Sequence, residues 1–275
     1  MNMIGAVVSE IVRNKYNGSM PTSVLRSMLI LPGMHSMKSL VFIASLLLVS
    51  SAFAVEAEKT QPTSRTERIL EGWKVRVDDR LLQPPHEETG AKAMRYLEAK
   101  LSDIKTVVPA TRLADLQKVT IVLDLNCGDL RPMQYHPSAG WLTDHGYPAE
   151  LAKCVHLPRA AEVPTSRNVR EQPWAILHEL SHAYHDQVLT FEDPSVIEAF
   201  EKYKKSGHGD AALLHNGRHV KHYALTNHKE FFAEMSEAYF GSNDFYPFNR
   251  AELSEAEPEL LALLSRIWDA PEKTR

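Results

Sequence analysis

The chain is predicted to fold as one α+β domain with two lobes, and three observations lead there. Segments with strand character come first along the chain, and segments with helical spacing dominate its second half. The 275 residues are 44% hydrophobic and 24% charged, an ordinary balance for a packed globular protein. Setting aside an N-terminal leader leaves 221 residues, enough for one domain with a real core.

That leader is residues 1–54. "MKSLVFIASLLLVSSAFA" (37–54) has a positive start at Lys38, an apolar run from Leu40 to Val49, and ends Ala52-Phe53-Ala54. This is the order of a cleavable signal peptide, and the apolar run is too short to span a bilayer. The sequence therefore predicts cleavage after Ala54, a secreted or periplasmic product, and no stable membrane span afterwards. Residues 1–36 precede this segment, and Met34 and Met37 offer later starts. The leader holds four basic residues and one acidic, so the exported part carries a net charge of −7. With no basic stripe, that charge argues against nucleic acid as a partner. Cys127 and Cys154 both lie in the exported part and are expected to form a disulfide, the usual fate of a pair in an oxidising compartment.

Residues 55–66 are polar and contain Pro, Ser and Thr, which predicts a flexible lead-in to a domain over 67–275. "EGWKVRVDD" (71–79) alternates apolar and polar residues, so a strand. Residues 89–106 place Ala91, Met94, Leu97 and Leu101 at helical spacing. "KVTIVLDLN" (118–126) predicts a second strand, and "CVHLPR" (154–159) a short third. The turn-rich stretch from Cys127 to about Glu150 is expected to be a long ordered loop, within which "MQYHPSAGWL" (133–142) is a weak candidate for lining a cleft. A further loop is expected over 163–172. Pro173 then suits a first helical turn, and the helix should run to about Val188. Asp193-Pro194 and Gly207 bracket another helix. Two more are expected from about Asn227 to Phe240 and from about Pro258 to Trp268.

The chemistry concentrates in the helix that begins near Pro173. Its His178-Glu179-Leu180-Ser181-His182 is an HExxH pattern. Histidines four apart lie on one helix face, so two imidazoles can reach a single ion, with Glu179 beside them as a base for water. A catalytic zinc usually takes three protein ligands and keeps one position open. His185 and Val188 stand where the metzincin continuation needs Gly and His, so a carboxylate on a later helix is the alternative. "NHKEFFAEMSEAYF" (227–240) offers Glu230, Glu234 and Glu237. Glu230 and Glu234 are one turn apart, so one can bind metal while the other braces a ligand imidazole. Asp186, one turn after His182, is a second candidate for holding an imidazole tautomer. His185, His215, His219, His222 and His228 are expected in loops or on the surface. The aromatics of "NDFYPFNRAEL" (243–253) are expected to pack over the domain base.

Tyr223, Thr226, Asn227, Glu230, Phe231, Phe232, Ala233 and Glu234, with His182-Ala183 and Asp186 on the earlier helix, carry a resemblance. Over about residues 172–240 the chain resembles the catalytic domain of zinc metallopeptidases of the anthrax lethal factor type. "HELSHAYHD" and "FFAEMSEAYFGSNDFYPF" are also similar to small exported metallopeptidases related to that domain. The resemblance implies a zincin-like fold with an active-site helix and a C-terminal helical lobe. It implies a gluzincin-type peptidase holding one Zn2+ per chain through His178, His182 and Glu230, with Glu179 as base and Tyr223 as a catalytic phenol. Glu234 then falls to the outer position behind the ligands. The large targeting domains of lethal factor have no room here, so its substrate preference does not carry over, and the expected substrate is a peptide or protein. Two rivals stand beside this expectation: a non-catalytic binding module stapled by zinc, which a fourth ligand such as His222 or His228 would favour, and a zinc hydrolase of non-peptide amides.

Overall fold

Glu71 and Gly72 both have left-handed backbone, φ 51° and 96°, which makes the tight two-residue turn that suits the twist of a hairpin. The turn joins β1 (Arg65–Leu70) to β2 (Trp73–Asp78), antiparallel, with Leu70 opposite Trp73. The computed structural model describes residues 61–269. The expected signal segment 37–54 and its cleavage after Ala54 lie outside them. Strand β1 starts inside the stretch expected to be a flexible lead-in, because Arg65 is drawn inward by Asp124.

The predicted alternation in β2 is present: Trp73, Val75 and Val77 are buried while Lys74 is exposed. Helix α1 (Glu87–Val107) follows and buries Ala93, Leu97, Leu101 and Ile104 on one stripe. Its Gly90 lies so close to the Leu81 carbonyl that an added Cβ would sit 2.1 Å away. Helix α2 (Ala110–Leu116) leads into β3 (Ile121–Leu123), whose three residues are all buried.

From Cys127 to Glu150 the structure departs from the expected loop. It forms β4 (Gln134–Tyr135), helix α3 (Ala139–Asp144, capped by the Ser138 hydroxyl) and a short 3-10 turn at Ala149–Leu151. The organising cause is a small second core of Val122, Cys127, Leu130, Leu142, Leu151 and Cys154, which local sequence pattern does not reveal. The cysteines in it are two separate buried thiols rather than the expected bridge. Burial pushes the Cys127 thiol up to about 12, and the Cys154 sulfur sits 3.2 Å from the Arg76 guanidinium.

Strand β5 (Val155–Leu157) completes a five-stranded mixed sheet in the order β1-β2-β3-β5-β4. The β2–β3 and β3–β5 pairs are parallel, and β4 runs antiparallel to β5 at the sheet edge. A short helix α4 (Ser166–Arg170) replaces the expected loop at 163–172.

The remaining elements are mostly helical. Helix α5 (Ala175–Tyr184) starts after Trp174 rather than at Pro173 and continues into a π-helical turn, His185–Leu189. Helix α6 (Pro194–Ser206) begins at the Asp193 cap and ends at left-handed Gly207. A hairpin of β6 (Ala212–Leu213) and β7 (His219–Val220) precedes α7 (His228–Phe240), α8 (Arg250–Ala256) and α9 (Pro258–Trp268). Buried Trp268 of α9 packs on Tyr184 and Phe232, tying α9 to both α5 and α7. Gly241, at the end of α7, lies against the Trp174 ring at the start of α5, where a Cβ would come within 1.9 Å. Helices α5 and α7 are thereby held face to face. Among the described residues no helix is long and apolar enough to cross a membrane.

Candidate metal centre

Helix α5 buries Ile176, Leu177, Leu180, Ala183 and Tyr184, and this apolar seating fixes the rotation of the helix. His178 and His182, four residues apart, then project on one side, rings edge to face with centroids 4.8 Å apart. Helix α7 supplies the third group. The Asn227 side chain accepts hydrogen bonds from the Lys229 and Glu230 amides, at 2.9 and 3.1 Å, and so fixes the first turn. Glu230 Oε2 consequently lies 3.2 Å from His178 Nε2 and 3.4 Å from His182 Nε2. One donor atom from each residue falls within 4.8 Å of the others.

The other face of the His178 ring is held differently from the expectation. Its Nδ1 lies 2.7 Å from Glu237 Oε1 and 3.6 Å from Glu234 Oε1. Glu237, not Glu234, is the close brace, although both are fully buried. Helix phase explains this: seven residues complete nearly two turns, so Glu230 and Glu237 share a face and the imidazole lies along it between them. Burial alone would lower the affinity of His178 for a proton, but Glu230 and Glu237 overcome it and raise its pKa well above 6.5. Burial likewise opposes charge on Glu230, and His182 and His178 together hold its pKa well below 4.5.

Glu179 sits beside this trio. Its Oε2 accepts the Tyr135 amide of edge strand β4 at 2.8 Å, which brings the stretch 133–142 to the site. Burial is the main reason the Glu179 carboxyl titrates above its ordinary range, with the two histidines opposing. Tyr223 opens a 3-10 turn, Tyr223–Thr226, in which His222 Nδ1 accepts the Ala224 amide. Burial, followed by the charges of Glu230, Glu234 and Glu179, pushes the Tyr223 phenol far up, so it stays a neutral O–H donor.

Asp186 does not hold an imidazole. Its Oδ2 accepts from the Tyr135 hydroxyl and from Lys153 Nζ, each at 2.5 Å. The stretch 133–142, a weak candidate for lining the cleft, holds Tyr135 without singling it out, and no local signal marks Lys153. Glu237, one of the three glutamates the sequence offers, makes the shorter contact to His178 Nδ1, 2.7 Å against 3.6 Å for Glu234 Oε1. His185 and His222 are fully buried rather than surface residues, and burial pulls the pKa of each down to about 3. His222 stacks on Phe245, and His228 Nε2 donates to the Phe191 carbonyl at 2.8 Å, so neither joins the trio.

A second cluster, Asp124 just after β3, Cys127, and His156 within β5, is buried. Arg65 grips both Asp124 oxygens at 2.8 Å, His156 Nε2 lies 2.8 Å from Oδ2, and His156 Nδ1 meets His136 Nε2 at 3.1 Å. No protein-family model, no curated protein and no solved structure matches this chain.

Proposed function

We propose that the chain is an exported zinc-dependent metallopeptidase of two-lobed, zincin-like architecture, secreted or periplasmic once residues 37–54 are removed. The observation that carries this reading is the convergence of His178 Nε2, His182 Nε2 and Glu230 Oε2, with Glu179 beside them and Tyr223 hydrogen-bonded to Glu230. Two imidazoles and one carboxylate are a donor set that suits zinc and leaves a coordination position open. The fit is supported by the Glu237 contact, which fixes the His178 tautomer so that Nε2 is presented to the shared centre. His178, His182 and Glu230 would hold one Zn2+ per chain. When bound, such an ion supplies Lewis-acid polarisation of a carbonyl and lowers the pKa of water.

The chain's own residues supply the rest. Glu179, its pKa raised above the ordinary carboxylate range by burial, takes a proton from the attacking water and passes it to the leaving amine. Tyr223, neutral at any working pH, donates its O–H to the oxygen on which negative charge develops. A peptide is the favoured substrate because β4 ends the sheet beside Glu179, and its outer edge has no strand partner among the described residues. An extended chain can add along such an edge through main-chain hydrogen bonds to the groups that flank the Tyr135 amide, which is itself committed to Glu179. The test is digestion of a proteome-derived peptide library by the exported form, with and without a chelator. Cleavage abolished by chelator and restored by zinc is the expected result. Cleavage of small acyl amides but of no peptide would reject the peptidase reading.

A further inference from the structure

We propose that Tyr135 is a positioning residue for the Glu179 carboxylate, locked in place by Asp186 and Lys153; the catalytic consequence rests on the peptidase reading above. Tyr135 is one of two residues in β4, and it reaches the active-site helix twice. Its amide donates to Glu179 Oε2 at 2.8 Å, while its phenol donates to Asp186 Oδ2 at 2.5 Å. The first contact faces the base and the second lies seven residues along, beyond the end of α5. A single residue therefore staples the edge strand across two turns of helix.

The π-helical turn shapes the second anchor. Asp186 and Gln187 are consecutive, yet both address the same phenol, with Gln187 Nε2 donating to it at 3.1 Å. A π turn is the kind of local widening found where helix geometry serves a site. Lys153, in the loop just before β5, completes the knot by pairing with Asp186 at 2.5 Å. Burial and Asp186 keep the Tyr135 phenol protonated, so it is a constant donor.

The other side of β4 is anchored independently. His136 meets His156, which is fixed by Asp124 and Arg65, so the strand cannot swing away from β5 without breaking that chain. The freedom left to Tyr135 is movement relative to α5, and the phenol knot is what removes it. Occupying Oε2 with a fixed N–H leaves Oε1 of Glu179 as the oxygen to meet water. A base displaced by even about 1 Å loses much of its effect.

The test combines two readouts on the full exported protein. Amide exchange of Tyr135 reports the Glu179 contact whether or not any substrate is cleaved. Glu179→Ala should speed that exchange directly, and Tyr135→Phe and Asp186→Ala should each speed it by on the order of tenfold. Asp186→Asn can still accept the phenol's hydrogen and should stay near wild type. In turnover, Tyr135→Phe and Asp186→Ala should lower kcat by about 10- to 100-fold, with KM and zinc content unchanged and activity rescued in Asp186→Asn. Unchanged exchange in Tyr135→Phe and Asp186→Ala would overturn the proposal. Faster exchange with unaltered kcat would also overturn it, by showing a clamp that does nothing for the base. A wild-type protein that cleaves nothing would defeat the peptidase reading, and the exchange of Glu179→Ala and Tyr135→Phe would still decide the contact.

Discussion

Among the described residues, side chains of metal-ligand type gather at two separate places, around Asp124 and around His178, and the two differ in what neutralises them. At Asp124, Cys127 and His156 the protein supplies its own cation. Arg65 forks onto the carboxylate, with its side chain only 8% exposed, and His156 is consumed between Asp124 and His136. The Cys127 thiol, pushed up to about 12 chiefly by burial, stays protonated. At His178, His182 and Glu230 the ion-pair partners of Glu230 are the two histidines themselves. Glu179, Glu234 and Glu237 crowd the same space, so carboxylates outnumber imidazoles. On the proposed reading a cation completes the His178 group, where no guanidinium among the described residues pairs with Glu230, since buried charge must be paired.

The largest expected effect separates the clusters outright. His178→Ala, His182→Ala or Glu230→Ala should strip zinc from the purified protein, because losing one of three ligands leaves two. Cys127→Ala should keep the metal, and elemental analysis of the dialysed variants reads both results. Next come the groups that act on substrate. Glu179→Gln should lower kcat by about 10²- to 10⁴-fold and Tyr223→Phe by about 10²- to 10³-fold, each with full zinc content. A folded, zinc-loaded Tyr223→Phe protein with wild-type turnover would remove the phenol from the mechanism.

On the other cluster, Arg65→Met should leave zinc untouched but cost about 3–5 kcal/mol in denaturant unfolding, as breaking a buried pair does. Near-wild-type stability would mean that Asp124 does not depend on its guanidinium. Glu237→Ala is smaller, with zinc affinity reduced about 10- to 100-fold and more than by Glu234→Ala. The reverse ranking would return the bracing role to Glu234.

The last effect is a gradual dependence on pH. His136, His185 and His222 are neutral in the fold, each pulled down to about 3 by burial, against 6.5 when unconstrained. Between those values the unfolded chain binds more protons, so stability rises with pH there. The contribution is present above about pH 6.5 and is lost as pH falls toward 3. Denaturation midpoints should decline steadily below about pH 6.5, and less steeply in His136→Asn. A profile unchanged by that substitution would show that His136 titrates normally.

The parts of this molecule that sequence pattern exposes are those with local chemical causes. The helix over Pro194–Ser206 announces itself through Asp193, Pro194 and Gly207. The spacing of His178 and His182 needs only helix geometry to place both on one face. What was not legible depends on contacts distant in sequence. Strand β1 reads as polar because Arg65, Thr66, Glu67 and Arg68 serve a sheet edge and a buried ion pair. The strand and helix between Cys127 and Glu150 pack around a core that brings Leu142 and Leu151 to Val122. Tyr135 reaches Glu179 across 44 residues, which no periodicity encodes. The Glu237 contact turned on where the His178 ring sits along α7, a matter of packing between two helices.

Zinc-edge X-ray absorption on the metal-loaded exported protein tests the central distinction between the two clusters most directly. One zinc per chain is expected in a shell of nitrogen and oxygen only, with the scattering signature of two imidazoles, unchanged in Cys127→Ala. A sulfur shell at about 2.3 Å, the zinc–thiolate distance, would place the ion at Asp124, Cys127 and His156 and contradict it.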